Sequence, residues 1–166
     1  MAFVTSKYGA EFQELILENV QAVLERDVGT ALAAIDSDLD TFKDFTTPTS
    51  IALNFPALYI EPDISTLAQA DDDSYIQAEH SILINLSIVA RDPDVTKQRI
   101  VKYVRAVDQA IRTMSVIDLT GGVDSATGKP AWEVVEHRYG SLEQNADRTI
   151  YRRDAQLVMV VQILER

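Results

Sequence analysis

The chain has 166 residues, 46% apolar and 25% charged, which suits one folded domain with a hydrophobic core and argues against disorder. Its net charge of −11 works against sequence-independent binding to phosphate backbones. The absence of cysteine excludes disulfides, thiolate zinc sites and a cysteine nucleophile.

The opening "MAFVTSKYGAEF" has one early lysine and no sustained apolar segment, so no secretory signal is expected. No apolar run approaches the length of a bilayer span, so no membrane partner is expected, and cytoplasmic synthesis is the default. Residues 8–28 predict an amphipathic helix. Phe12, Leu15, Ile16, Val20, Val23 and Leu24 recur at spacings of three and four, with Glu11, Glu14, Glu18 and Glu25 largely off that stripe. Thr5 or Ser6 is the expected cap, and Gly29 the expected break. A further turn or two of helix follows, contacting through Leu32 and Ile35, to complete an N-terminal helical segment over 1–40.

Residues 41–56 hold threonines, two prolines and no period, which reads as a connector. The stretch "ALYIEP" predicts a short strand ended by Pro62, and 61–76 an acidic, irregular loop. The next segment alternates cleanly. Ile82, Ile84, Leu86 and Ile88 share one face, while Leu83, Asn85, Ser87 and Val89 share the other. His80 falls on the apolar face and Glu79 on the opposite one.

Residues 91–114 predict a helix with Asp92 as N-cap, Pro93 at the first helical position and Asp94 at the positive end of the dipole. Its expected buried stripe is Ile100, Val101, Val104, Val107, Ile111 and Met114, with Lys97, Arg105, Asp108 and Arg112 outside it. Residues 118–131 form a long Gly-containing loop, 132–140 a strand, 141–150 a polar turn region and 151–165 a closing strand. Ala155, Leu157, Met159, Val161 and Ile163 make one fully apolar face of that last strand. Val158, Val160 and Leu164 make its other face partly apolar, so it should be central in its sheet. Paired strands separated by helices predict a single α+β domain over 1–166. It should hold a mostly antiparallel sheet of about four or five strands, with two main helices packed on it.

Chemistry is tested and mostly rejected. Asp71, Asp72, Asp73, Glu79 and His80 crowd together, but three adjacent loop aspartates do not converge on one ion without unusual turns, so they read as a solvated loop. "DSDLD" at 36–40 imitates the start of a calcium loop. It then places Thr41 where the turn needs Gly and Thr47 where a bidentate Glu is required. "TGKP" at 127–130 ends in Pro where a phosphate loop needs Ser or Thr. His80 and His137 read as strand-edge residues, and no serine sits in a nucleophile elbow. Trp132, Tyr139 and Tyr151 read as core or interface packing, not as a stacking platform. No catalytic residue, cofactor or metal is expected.

Charge is unevenly distributed. Residues 1–90 carry 3 Lys/Arg against 15 Asp/Glu, whereas 91–166 carry 12 against 11. Copies of such a chain could pair head to tail, unless folding mixes the two halves. The expected interface residues are Asp71, Asp72, Asp73, Glu79, Asp124, Lys129, Arg148, Arg152 and Arg153.

The layout resembles that of phage tail terminator proteins. The matching features are the opening amphipathic helix, "FPALYIEP", "AEHSILINLSIVARDPD" running into a long helix, the late Gly-rich loop and the final "DAQLVMVVQILER". The resemblance covers about 8–165 and is one of pattern, without a diagnostic motif. It implies a virion subunit, assembled in the host cytoplasm, that forms a homo-oligomeric ring, usually a hexamer. Such a ring caps the tail tube protein, stops its polymerisation and meets the head-tail connector or stopper, while DNA passes through without specific binding. Two alternatives stay open. One is another neck protein, such as a head-side stopper or tail-completion protein. The other is a cytoplasmic enzyme or ligand-binding domain using the acidic loop.

Overall fold

The structure, a computed structural model, describes residues 9–69, 76–121 and 130–165. Among these residues the protein is α+β, with three helices and a five-stranded antiparallel sheet. Helix α1 spans Gly9–Ile35, strand β1 Ala57–Gln69, β2 Ile76–Ala90, α2 Pro93–Arg112 and α3 Val116–Thr120. Strand β3 spans Ala131–Tyr139, β4 Glu143–Gln144 and β5 Tyr151–Glu165. The sheet runs β1-β2-β5-β3, and β4 pairs with β5 beyond the end of β3.

The period-two faces read from the sequence are the faces of the sheet. Ile82, Ile84, Leu86 and Ile88 of β2 are buried, as are Ala155, Leu157, Met159, Val161 and Ile163 of β5. The two strands pair in register from Ile76↔Glu165 to Ala90↔Tyr151, which makes β5 central, as its two apolar faces required. Helix α2 lies on this apolar face. Asp92 caps it by accepting from the Asp94 and Val95 N–H groups, and Pro93 opens the first turn. Ile100, Val104, Val107 and Ile111 are buried on it. Each such side chain contributes on the order of 1.5–3 kcal/mol before entropy is subtracted.

Several boundaries differ from expectation for identifiable reasons. Helix α1 runs straight through Gly29, because its buried stripe continues from Ile16, Val20 and Leu24 to Val28 and Leu32. Tertiary burial thereby outweighs the low helix propensity of one glycine. Its expected caps Thr5 and Ser6 lie outside the described residues.

Strand β1 likewise passes through Pro62 and replaces much of the expected loop over 61–76. It is an edge strand, where a missing N–H need not remove a ladder bond, and its register shifts between Pro62 and Ser65. His80 is therefore not at a sheet edge. It lies in β2, buried, with Ser65 Oγ 2.8 Å from Nδ1. His137 does lie on edge strand β3, and its Nε2 is 3.3 Å from Asp108 Oδ2.

Val101 was expected in the stripe of α2 but is 44% exposed, since the face directed at the sheet and α1 is narrower than the apolar pattern. Helix α3 takes up the start of the expected 118–131 loop, closed by a Ser115/Asp118 capping box and by Gly121 at φ 65°. The turn region 141–150 contains β4.

Candidate assembly surface

Among the described residues, helices cover one face of the sheet. Along β2 and β5 the alternating residues form the other face, free of helices among the described residues, on which Ser87 and Val158 are buried and most of the rest half-buried. Across it the strands carry a continuous polar ladder. Asn85 Nδ2 on β2 donates to Glu61 Oε1 on β1 at 3.0 Å. Gln156 Nε2 on β5 donates to Asn85 Oδ1 at 2.7 Å. Arg138 Nη1 on β3 donates to Gln156 Oε1 at 3.1 Å, and Arg138 holds Glu136 through Nε at 2.8 Å and Nη2 at 2.9 Å. The guanidinium holds the Glu136 carboxyl below the usual carboxylate range. One chain of hydrogen bonds thus crosses all four principal strands. Beside it lies the cross-strand pair Leu83↔Val158, flanked by Glu61 and Glu136.

One end of the open face is held by the 41–56 connector. Arg152 Nη2 donates to the Thr49 carbonyl at 2.8 Å, Arg152 Nε donates to Asp154 Oδ1 at 2.9 Å, and the guanidinium lies 5.5 Å from the Phe55 ring centroid. Ser87 Oγ donates to the same Asp154 carboxylate. A pocket of about 290 Å³ opens between Thr49, Asn85, Arg138, Asp154 and Gln156. Beyond the other end the β1–β2 hairpin carries Ile64 and, paired with Ala78 on the opposite face, Leu67, each 61% exposed.

The residues expected at an interface are thereby placed. Asp71, Asp72, Asp73, Asp124 and Lys129 lie outside the described residues. Glu79 is exposed on the open face and accepts from Gln162 Nε2 of β5 at 3.0 Å. Arg148 is exposed in the turn between β4 and β5, with φ 54°. Arg152 is tied within its own subunit to Asp154, Thr49 and Phe55, and Arg153 is half-buried with a buried Nε. The structure therefore does not gather the three arginines into one free basic cluster.

Charge mixing between the halves is partial. Lys102 Nζ meets Asp36 Oδ2 at 2.6 Å, but Arg26 meets Asp118 Oδ1 at 3.0 Å in the reverse sense. The Lys102 ammonium, followed by the Asp38 N–H, holds the Asp36 carboxyl below its usual range. Burial, with Asp40 adding to it, pushes the Tyr103 hydroxyl up to about 12. Among the described residues no group of three His, Asp or Glu is placed to hold a metal ion. Trp132 packs against the core, its Nε1 donating to the Ile111 carbonyl at 3.1 Å beside an open pocket of about 530 Å³.

No family model and no curated protein matches the sequence. Among solved structures there is a likeness to a chain of the virion of the native gene transfer agent (GTA) particle. The identity is 16% and the TM-score 0.40, over 87% of this chain and 97% of that one.

The ladder was not visible in the sequence, because its members are polar residues on four separate strands. Its one sequence signal is Asn85, a polar residue amid the apolar alternation of 82–89.

Proposed function

We propose that the chain is a virion structural protein, a tail terminator that assembles with copies of itself into a ring on the end of the tail tube. The observation that carries this reading is the one-sided sheet. Its open face is fixed by a ladder of side-chain hydrogen bonds, and it extends into a long hairpin whose Ile64 and Leu67 meet solvent in the lone subunit. A rigid face and a hairpin that exposes two large apolar side chains are surfaces that gain from a partner. The pattern resemblance over 8–165 supplies the kind of assembly. The ring stops tube growth and receives the head connector, and DNA passes through its lumen. A chain of net charge −11 favours passage over adhesion.

Deleting the gene from the particle that encodes it tests this by electron microscopy. Tails of uncontrolled length are expected. Tails of normal length beside unjoined heads would instead make the protein a stopper or completion factor. Normal, joined particles would reject a neck role altogether.

A further inference from the structure

The outward faces of α1 and α2 carry opposite charge. On α1, Glu14, Glu18 and Glu25 are exposed and fall within one narrow stripe. On α2, Lys97, Val101 and Arg105 are exposed one turn apart, at an open concavity of about 620 Å³ lined by side chains of this helix alone, Asp94, Gln98 and Lys102 included. Val101 is 44% exposed there, an apolar side chain between Lys97 and Arg105, with Asp94 and Gln98 also at the site. Lys97 and Arg105 have no ion pair among the described residues, and no ion pair joins these bases to the α1 glutamates of the same chain. Within one subunit α1 meets α2 elsewhere, around Ala31, Ala34, Gln109 and Ala110.

We infer that this face of α2 receives the glutamate stripe of α1 from a neighbouring copy of this chain. This rests on the ring assembly proposed above and names the surfaces that close it. In a ring each copy engages two different neighbours through these two patches, a heterologous contact that repeats from copy to copy and closes when its rotation does. Lys97 and Arg105 meet the glutamate stripe, Lys102 staying on Asp36 of its own chain, while Val101 loses its water. Complementary charge of this kind sets register and suppresses the wrong pairing.

The test is a charge swap read by sedimentation velocity. Lys97→Glu with Arg105→Glu should weaken self-association by about tenfold or more, and so should Glu14→Lys with Glu18→Lys. All four sites are exposed, so far-UV circular dichroism should stay unchanged. The chain carrying all four substitutions should recover association, because both stripes are then reversed together. Raising salt from about 0.05 M to about 0.5 M should weaken the wild type and the four-fold variant alike. Wild-type association that ignores every reversal overturns this contact and leaves the ring standing on another surface. A wild type that stays monomeric at all concentrations overturns the ring reading as well. If Lys97→Glu with Arg105→Glu abolishes retention of a DNA duplex by the wild type while self-association is unchanged, this face of α2 is a phosphate surface and the inference fails.

Discussion

Asn85 and Gln156 face each other at paired positions of β2 and β5 and are joined side chain to side chain at 2.7 Å. They are the central rung of the ladder that crosses the open face from Glu61 to Glu136. Each amide both donates and accepts within it, so the two side chains hold each other's orientation.

Asn85→Ala and Gln156→Ala should therefore each cost about 0.5–1 kcal/mol, in the range of a cross-strand pair or a partly exposed hydrogen bond. The double variant should cost clearly less than the sum, since either change alone breaks the chain at the same rung. Urea titration of the four proteins measures this. Strict additivity would mean that the amides act separately.

Acid stability should depend on Asp118. Its carboxylate accepts from Arg26, the larger cause, and from the Ser115 N–H, and together they hold it well below its ordinary value of 3.8. A depressed carboxyl contributes stability that is complete above the unfolded value and lost as pH falls through the folded one. The melting temperature of the wild type should thus decline below about pH 4. Asp118→Asn should start lower at neutral pH and decline less steeply in acid. Parallel acid limbs would remove Asp118 from the account. The effect should be modest, because the Arg26 side chain is 57% exposed and solvent screens the pair.

Two valines on α2 separate its inner and outer faces. Val107 is fully buried, so Val107→Asp places an unpaired charge in the core and should cost on the order of 3 kcal/mol or more, leaving little soluble protein. Val101→Asp should change the stability of the single subunit by no more than about 0.5 kcal/mol, as expected of a site exposed in the lone chain, while weakening the contact between copies that covers Val101. Soluble yield and melting temperature of the two variants decide the matter. A well-folded Val107→Asp would place the core elsewhere.

Two glycines, Gly29 within α1 and Gly121 at the end of α3, should respond in opposite directions to an added methyl. Gly29 lies inside a helix, and an added Cβ would meet Thr41 Oγ1 at an ordinary 3.4 Å. Gly29→Ala should stabilise by about 0.5–1 kcal/mol. Gly121 sits at φ 65° and its Cβ would come within 3.3 Å of Asn19 Nδ2, so Gly121→Ala should destabilise by about 1 kcal/mol. Thermal melts that move in the same direction would contradict this.

What the sequence made legible follows physical period. Every second residue from Ile82 to Ile88 and from Ala155 to Ile163 is apolar, and a period of two has one geometric meaning. Asp92 and Pro93 marked the start of α2 because capping is local chemistry. Pro62 and Gly29 misled for a shared reason: each is a local breaker whose cost depends on its tertiary setting. Pro62 lies on an edge strand, and Gly29 continues a buried stripe. The assembly surface was the least legible. Arg152 looked like free charge in the chain "YRRD", yet Thr49, Phe55 and Asp154 claim it, and two of those are distant in sequence. Reversing Arg152 would therefore disturb the fold before any interface. The open face of α2, where Lys97 and Arg105 have no ion pair among the described residues, is the cleaner probe.

Self-assembly is the claim on which the rest depends. The direct measurement is the mass of the purified protein in solution by sedimentation velocity, with negative-stain images of the same sample. One discrete species at a whole multiple of 18.5 kDa, seen end-on as a closed ring with a central hole, is the predicted result. A single 18.5 kDa species from the lowest to the highest concentration reached would contradict it.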